Sequence, residues 1–414
     1  MSQAAVEHPA ARPGPWLSIA DRLYGWRNRL VASRRFRSFA ARFAPTRPIA
    51  RRQASALFDL CAGFVYSQVL TAIVELRLLE MLADRPLDGQ EIACRAGLPP
   101  ENARRLLDAA ASLGLLDRRG WDRFGVGLSG AVLLGDPGIR AMVAHHRVLY
   151  RDLVDPVSLL RGERVGGLAD YWPYASSNRA ELTKAAVEPY SRLMAASQPM
   201  VAEQVLDAYP LGHHRALLDI GGGEGAFASA AARRHPKLAC TVFDLPAVAE
   251  LARARFAREG LSGRADSVGG SFLSDPLPPG RDAAALIRIL HDHDEAPALA
   301  ILRAAHAALA PGGTLIVAEP MAGAGGEARV SDAYFGFYLL AMGSGRARSA
   351  EHLTRLMEQA GFSQIRRHRT ALPLAAGLLT GKKPRQPSNR VDSSACESSL
   401  TVNENAEGAW TPSP

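Results

Sequence analysis

Leu217-Leu218-Asp219-Ile220-Gly221-Gly222-Gly223-Glu224-Gly225-Ala226-Phe227 decides the fold. An apolar run of strand length enters a glycine-dense turn, and an alanine-rich helical segment follows from Phe227. Glycine takes positive φ without strain and has no Cβ to hold a ligand away, and a helix start leaves amide donors unpaired. Such a turn suits a ligand of nucleotide type. Two ligand classes satisfy it: Gly221-x-Gly223-x-x-Ala226 fits the dinucleotide fingerprint, and Asp219-x-Gly221-x-Gly223-x-Gly225 fits the S-adenosylmethionine pattern.

Around this turn, strand-like runs alternate with helical ones. Strands are expected at residues 216–220, 238–244, 265–268, 284–290 and 314–319, then at 364–370 and 374–380. The intervals read mainly as helices, so residues 211–382 predict a doubly wound, mainly parallel α/β sheet with an antiparallel end. The dinucleotide reading calls for further βαβ repeats and a substrate domain. The antiparallel end favours S-adenosylmethionine instead. Asp244 closes the second strand about twenty residues after the turn, where a carboxylate can accept hydrogen bonds from ribose hydroxyls.

Arg288-Ile289-Leu290-His291-Asp292-His293-Asp294-Glu295 ends the fourth strand. In an open α/β sheet the carboxyl ends of the strands face the ligand crevice, so His291 is expected beside the cofactor as a proton acceptor. Glu319, ending the next strand, can orient it by accepting a ring N–H. For His293 a satisfied surface histidine is the open bland alternative. A metal site would need ligands beyond these two histidines, and Asp294 and Glu295 suit the start of a helix over residues 296–309, so no metal is expected. The Asn/Asp-Pro-Pro-aromatic turn of nucleic-acid nitrogen methylases is absent, which points to a hydroxyl acceptor.

With 414 residues the chain exceeds the usual limit for one hydrophobic core, and two domains are expected. Residues 1–15 and 383–414 are polar or proline-broken and predict disorder. The net charge of +8 concentrates in residues 16–52, where Arg22 to Arg52 contains no acidic residue. Trp16, Ile19, Leu23, Trp26, Leu30, Phe36, Phe39 and Phe43 recur there at helical spacing. The segment therefore reads either as a basic amphipathic helix on a membrane surface or as a helix packed on its own domain.

Cys61, Cys94, Cys240 and Cys396 show no ligand or disulfide spacing, and a reducing cytoplasm is expected. No signal peptide is expected, and the apolar window 60–74 reads as too short to span a bilayer. Residues 54–82 predict one long helix or two, apolar on more than one face, as suits a homodimer interface. The helices, turn and hairpin that follow, up to residue 128, predict a winged helix-turn-helix within a domain over residues 53–140. Its helix carrying Arg104 and Arg105 leaves DNA binding open, but a dimerising unit is the expected role and no nucleic acid the expected partner. Residues 141–210 read as a helical linker and substrate wall.

The glycine turn, Phe243-Asp244-Leu245-Pro246, the His-Asp-His turn and the Glu319 strand end together resemble the small-molecule O-methyltransferases that include plant caffeate and flavonoid enzymes. The resemblance runs from about residue 54 to 382. Residues 46–52, 57–66 and 345–349 are most similar to the carotenoid hydroxyl methyltransferases of the demethylspheroidene or hydroxyneurosporene type. It implies S-adenosylmethionine held by Asp219, Gly221, Gly223, Gly225, Asp244, Leu245, Ser271, Phe272 and Arg288. It further implies catalysis by His291 with Glu319 and Asp292, on the tertiary C-1 hydroxyl of an acyclic carotenoid.

Three positions depart from the plant pattern. Ser271 stands where an adenine-contacting Asp is usual, His293 replaces a tryptophan, and Ala347 replaces a second glutamate. A hydrocarbon acceptor calls for an apolar tunnel, with Tyr334, Phe335, Phe337, Tyr338 and Met342, and Phe64, Tyr150, Trp172 and Met194, as its candidate walls. Its home in a photosynthetic or inner membrane favours the lipid-surface reading of residues 16–52, for an otherwise cytoplasmic protein. A phenolic or polyketide methyltransferase and a winged-helix regulator that senses S-adenosylmethionine are the rival readings.

Overall fold

The computed structural model describes residues 15–164, 166–171, 184–323, 329–371 and 376–385. The disorder expected at the two ends, apart from Pro15 and residues 383–385, lies outside the described residues, as does Trp172. The chain divides into two compact units, Met1–Asp136 and Pro137–Pro414.

The first unit opens with α1 (Pro15–Ala32), α2 (Arg34–Arg42) and α3 (Arg47–Glu75). One amphipathic helix was expected over the first two. Ser33 interrupts it with an extended backbone, φ −66° and ψ 124°, and Arg37 Nη1 reaches back 2.8 Å to the orphan carbonyl of Ala32. Pro48 sits in the first turn of α3, where its missing N–H has no partner to lose. At 29 residues α3 is long and apolar enough to cross a membrane by length and composition, unlike the shorter window read from the sequence. Leu57, Phe58, Leu60 and Phe64 on it are exposed.

Left-handed Arg77 separates α3 from α4 (Leu78–Met81). Next come β1 (Leu87–Asp88), α5 (Gly89–Ala96), α6 (Pro100–Ser112), β2 (Leu116–Arg118), β3 (Arg123–Val126) and α7 (Leu128–Gly135). The strands form an antiparallel sheet in the order β1-β3-β2. The Asp88 side chain caps α5 by accepting from Glu91 N at 2.7 Å, and left-handed Gly97 ends that helix. Ile73, Leu79, Ile92, Leu107, Leu116 and Phe124 make the core of this winged helix. Arg104 is engaged by Asp108 and Asp122, and Arg105 lies near Glu101.

The second unit begins with α8 (Pro137–Asp152), α9 (Pro156–Leu160), α10 (Gly167–Tyr171) and α11 (Lys184–Ala208). Residues 141–208 thus belong to this unit: Val201, Val205 and Leu206 of α11 share a core with Leu217 and Phe227. There follow β4 (Ala216–Ile220), α12 (Ala226–Arg234), β5 (Ala239–Asp244), α13 (Pro246–Arg258), β6 (Ala265–Gly269) and β7 (Arg281–Ile287). The chain continues through α14 (Glu295–Ala308), β8 (Leu309–Glu319), α15 (Gly336–Met342), α16 (Ala350–Gln359), β9 (Ser363–His368) and β10 (Gly377–Lys382).

The sheet order is β6-β5-β4-β7-β8-β10-β9. The first five strands run parallel, and β10 lies antiparallel between β8 and β9. Successive residues point to opposite faces, so Leu217, Val242 and Ala285 enter one core and Leu218, Phe243 and Leu286 the other. Lys383, placed in the tail by sequence, extends the β10 edge through bonds of 2.9 Å with Gly312 and Gly313.

Candidate active site

The direction of strand addition reverses between β4 and β7, and the crevice beyond such a switch point is where open α/β sheets bind ligands. A cleft opens there that encloses about 900 Å³ of empty space, its solvent-filled mouth included. Loops after β4, β5, β6 and β7 line it, together with Met194, Ala195 and Gln198 of α11.

Within the turn after β4, Gly221, Gly223 and Gly225 have φ of +69°, +57° and +76°. Each has a different reason to be glycine. A Cβ on Gly221 would stand 2.6 Å from Ile289 Cδ1, and one on Gly225 2.6 Å from Phe256 Cζ. Around Gly223 nothing lies within 4 Å, so that backbone faces open cleft. Gly222 was not singled out by the motif, yet Asp219 Oδ2 would lie 2.5 Å from its Cβ.

Asp219 and Gly225, assigned to the cofactor by resemblance, are absent from the cleft lining. Both support the turn from beneath. Asp219 is buried, and its Oδ2 has no hydrogen-bond partner. Burial, with the neighbouring Asp244 adding to it, pushes this carboxyl up to about 7.

Asp244 does line the cleft. Its Oδ2 accepts from Gly223 N at 2.8 Å and its Oδ1 from Leu245 N at 2.7 Å, which ties the end of β5 to the glycine turn. Burial raises its carboxyl to about 6 against the opposing pull of those two N–H groups. Each oxygen keeps a lone pair for a further donor.

Leu245, Ser271, Phe272 and Arg288 also line the cleft. Asp275, missed in the sequence, holds the Ser271 loop by accepting from Ser271 N at 2.8 Å. The Phe272 ring meets His293 edge-on at 5.5 Å. His293 is 9% exposed and lines the cleft, which rules against the surface alternative left open for it. Gln198 was not foreseen; it lines the same cleft, with a buried Oε1 that has no hydrogen-bond partner.

His291 sits on a short 3₁₀ turn, Leu290–Asp292, and not on the strand, which stops at Ile287. Two features break the strand early. Arg288 takes a left-handed φ of +59°, rare for a residue with a side chain. The N–H groups of Ile289 and Leu290 then donate to Glu319 Oε1 at 3.0 and 2.7 Å instead of to a neighbouring strand. The Arg288 guanidinium reaches Ser197 Oγ at 3.0 Å, joining this turn to α11.

Glu319 is 2% exposed, and its Oε2 lies 2.6 Å from His291 Nδ1. Since a carboxylate only accepts, Nδ1 carries the proton. Asp292 Oδ1 stands 3.2 Å from the other ring nitrogen, Nε2. Burial alone would lower the histidine pKa, but Asp292 and Glu319 outweigh it and hold the value above 6.5. Burial raises Asp292 to about 6, with His291 pulling it down and Glu319 pushing it further up. Where the plant pattern has a second glutamate this chain has Ala347, and Asp292 supplies the second carboxylate against the ring.

Sequence reasoning also missed Arg348, which is 3% exposed. Its Nη1 donates to Leu290 O and its Nη2 to His293 O, both at 2.7 Å, so one guanidinium clamps both flanks of the His291 turn. The adjoining Gly345 comes so close to the turn that a Cβ there would lie 2.2 Å from His291 O.

Among the expected substrate walls, Phe335 meets the His291 ring edge-on at 5.8 Å and ends a π-helical turn, Arg329–Phe335. Tyr334 packs on Phe335, and its hydroxyl lies 2.7 Å from His146 Nε2. The Tyr338 hydroxyl lies 3.0 Å from His145 Nε2. Burial, aided by His146, pushes His145 down to about 4, so it is neutral near pH 7. Tyr150 stands edge-on to His146, and Met194 lines the cleft. Met342 is core, 2% exposed beside Leu149 and Leu168. Phe64 lies on α3 of the first unit and is 71% exposed. Among the described residues, no three His, Cys, Asp or Glu converge to hold a metal ion.

Residues 150–363 match the profile of an O-methyltransferase domain, and residues 58–126 that of an O-methyltransferase dimerisation domain. The chain is 44% identical over 356 residues to the demethylspheroidene O-methyltransferase of Cereibacter sphaeroides, covering 86% of this chain and 94% of that one. It is 40% identical over 357 residues to the enzyme of the same name from Rhodobacter capsulatus, covering 86% and 88%. The crystal structure of human N-acetylserotonin methyltransferase in complex with SAM superposes with a TM-score of 0.67 at 25% identity, covering 80% of this chain and 98% of that one. The chain belongs to the O-methyltransferase family and joins that family's dimerisation domain to its catalytic domain.

Proposed function

We propose that the protein transfers a methyl group from S-adenosylmethionine to the tertiary C-1 hydroxyl of an acyclic carotenoid, with His291 as the base. The observation that carries the reaction is the His291–Glu319 pair at 2.6 Å, beside a cleft with a glycine floor. The names of the two bacterial relatives support the acceptor class.

The cleft suits the cofactor. Open backbone at Gly223, lone pairs on Asp244 and the orphaned Gln198 Oε1 would take its methionine portion, its ribose hydroxyls and a donor such as its ammonium group. When bound, S-adenosylmethionine supplies a methyl group made electrophilic by the sulfonium.

The chain's own residues position the acceptor and move a proton. Glu319 fixes Nδ1–H, so above the histidine pKa the free lone pair is on Nε2, beside Asp292, and accepts the hydroxyl proton; the two carboxylates then stabilise the imidazolium. A tertiary alcohol is a weak acid, so that proton leaves while the methyl group is transferred. Proton acceptance contributes about 10² to 10⁴-fold, and the larger share of the acceleration comes from alignment of the two reactants.

The test is purified protein with methyl-labelled S-adenosylmethionine and a panel of detergent-dispersed 1-hydroxycarotenoids and phenols. Label on the carotenoid hydroxyl is the expected result. Transfer to phenols alone would reject this acceptor.

A further inference from the structure

Outside the dimerisation profile, which begins at residue 58, α1 and α2 present a surface with two properties at once. Ile19, Leu23 and Trp26 recur at helical spacing on α1 and are 49%, 62% and 60% exposed. On α2, Phe39 and Phe43 stack at 5.2 Å and are 57% and 47% exposed. Exposed apolar residues grouped in this way mark a surface that something covers. The charge identifies the cover: ten arginines and no acidic residue lie between Arg22 and Arg52, all ten are exposed, and seven of them are on α1 and α2.

We propose that α1 and α2 are an interfacial anchor that lies on an anionic lipid surface, arginines among the headgroups and aromatic side chains at the acyl boundary. A second copy of the chain brings the same seven arginines to a self-complementary contact and is repelled. A nucleic acid meets the charge and leaves the apolar row wet. An anionic bilayer satisfies both. The inference goes beyond methyl transfer and stands without it, because the lipid contact needs no substrate.

Flotation of the full-length protein with phosphatidylcholine vesicles containing about one-third phosphatidylglycerol tests it without substrate. Binding is expected to the anionic vesicles and to fall about tenfold or more on pure phosphatidylcholine or on raising salt from roughly 0.1 M to 0.5 M. Two variants separate the contributions. Arg29→Gln with Arg34→Gln, Arg35→Gln and Arg42→Gln removes charge, whereas Leu23→Ser with Trp26→Ser removes apolar surface at constant charge. Each is expected to lower the bound fraction about tenfold or more with an unchanged oligomeric state in lipid-free solution. Unchanged flotation of both variants overturns the proposal. So does a shift in oligomeric state, which would make this face a subunit contact, or retention on a DNA duplex without flotation.

Discussion

Glu319 and His291 are joined twice: Glu319 Oε2 meets the imidazole Nδ1 at 2.6 Å, and Glu319 Oε1 accepts from the two backbone amides that precede the histidine. One carboxylate sets both the ring and the turn that carries it. Glu319→Gln keeps an acceptor but loses the charge facing the ring. A fall in kcat of about 10- to 100-fold is expected with little change in affinity for S-adenosylmethionine. Near-normal kcat in that variant would remove Glu319 from the reaction.

Two carboxylates hold the His291 pKa above 6.5, and the base form exists above that pKa. The value of kcat/KM should therefore fall as pH drops through a limb above 6.5. Asp292→Asn takes away a negative charge at 3.2 Å and should move this limb to lower pH. A limb that stays in place would mean that His291 is not the titrating group.

Arg348 acts on the turn without touching the ring. Arg348→Met leaves two buried carbonyls without their donor, at about 1–3 kcal/mol for each unsatisfied group. A lower melting temperature and a kcat reduced about tenfold are expected, with the pH limb where the parent has it. Arg348→Lys should recover only part, because an ammonium lacks the planar fork that spans both carbonyls. Full recovery by lysine would show that charge alone suffices.

Substitutions at two glycines of one turn should separate binding from folding. Gly223→Ala adds about 1–2 kcal/mol of left-handed strain but meets no atom, so its Cβ occupies ligand space. Thermal stability should change modestly while Kd for S-adenosylmethionine rises about tenfold or more. Gly225→Ala drives a Cβ into the Phe256 ring, and loss of stability should dominate. Calorimetry with and without ligand distinguishes the two; the same ranking for both effects would contradict the geometry.

Asp219 is raised from 3.8 to about 7. Below pH 3.8 both folded and unfolded chains hold its proton. Between 3.8 and about 7 the unfolded chain releases the proton while the folded one keeps it, so this group lowers stability as pH rises, down to a plateau above 7. Asp219→Asn lacks that decline. The melting-temperature difference, variant minus parent, should grow from pH 4 to 7; a flat difference would refute the buried ionisation.

Local chemistry made much of this legible. Apolar alternation and the positive-φ demand of the glycine turn located β4, its turn and α12 to within a residue, because each depends on neighbours in sequence. The end of β7 was misplaced because its stop depends on Arg288 and on Glu319, the latter a strand away. The break at Ser33 escaped the periodicity of residues 16–43, since apolar spacing continues across it. A surface place for His293 stayed open because burial there comes from Phe272 and the Arg348 loop, which no short window contains.

By itself the sequence determined a doubly wound sheet with an antiparallel end, a winged helix before it, an adenosine-type turn and a histidine near the ligand. Those follow from periodicity, from the backbone freedom of glycine and from the fixed hand of βαβ crossovers. Only the tertiary structure decided which charges touch that histidine. Asp292 at Nε2 is a matter of how one turn is wound. Arg348 at the flanking carbonyls joins one side chain to backbone 58 and 55 residues before it in the chain, brought together by sheet order and loop packing that no spacing rule contains.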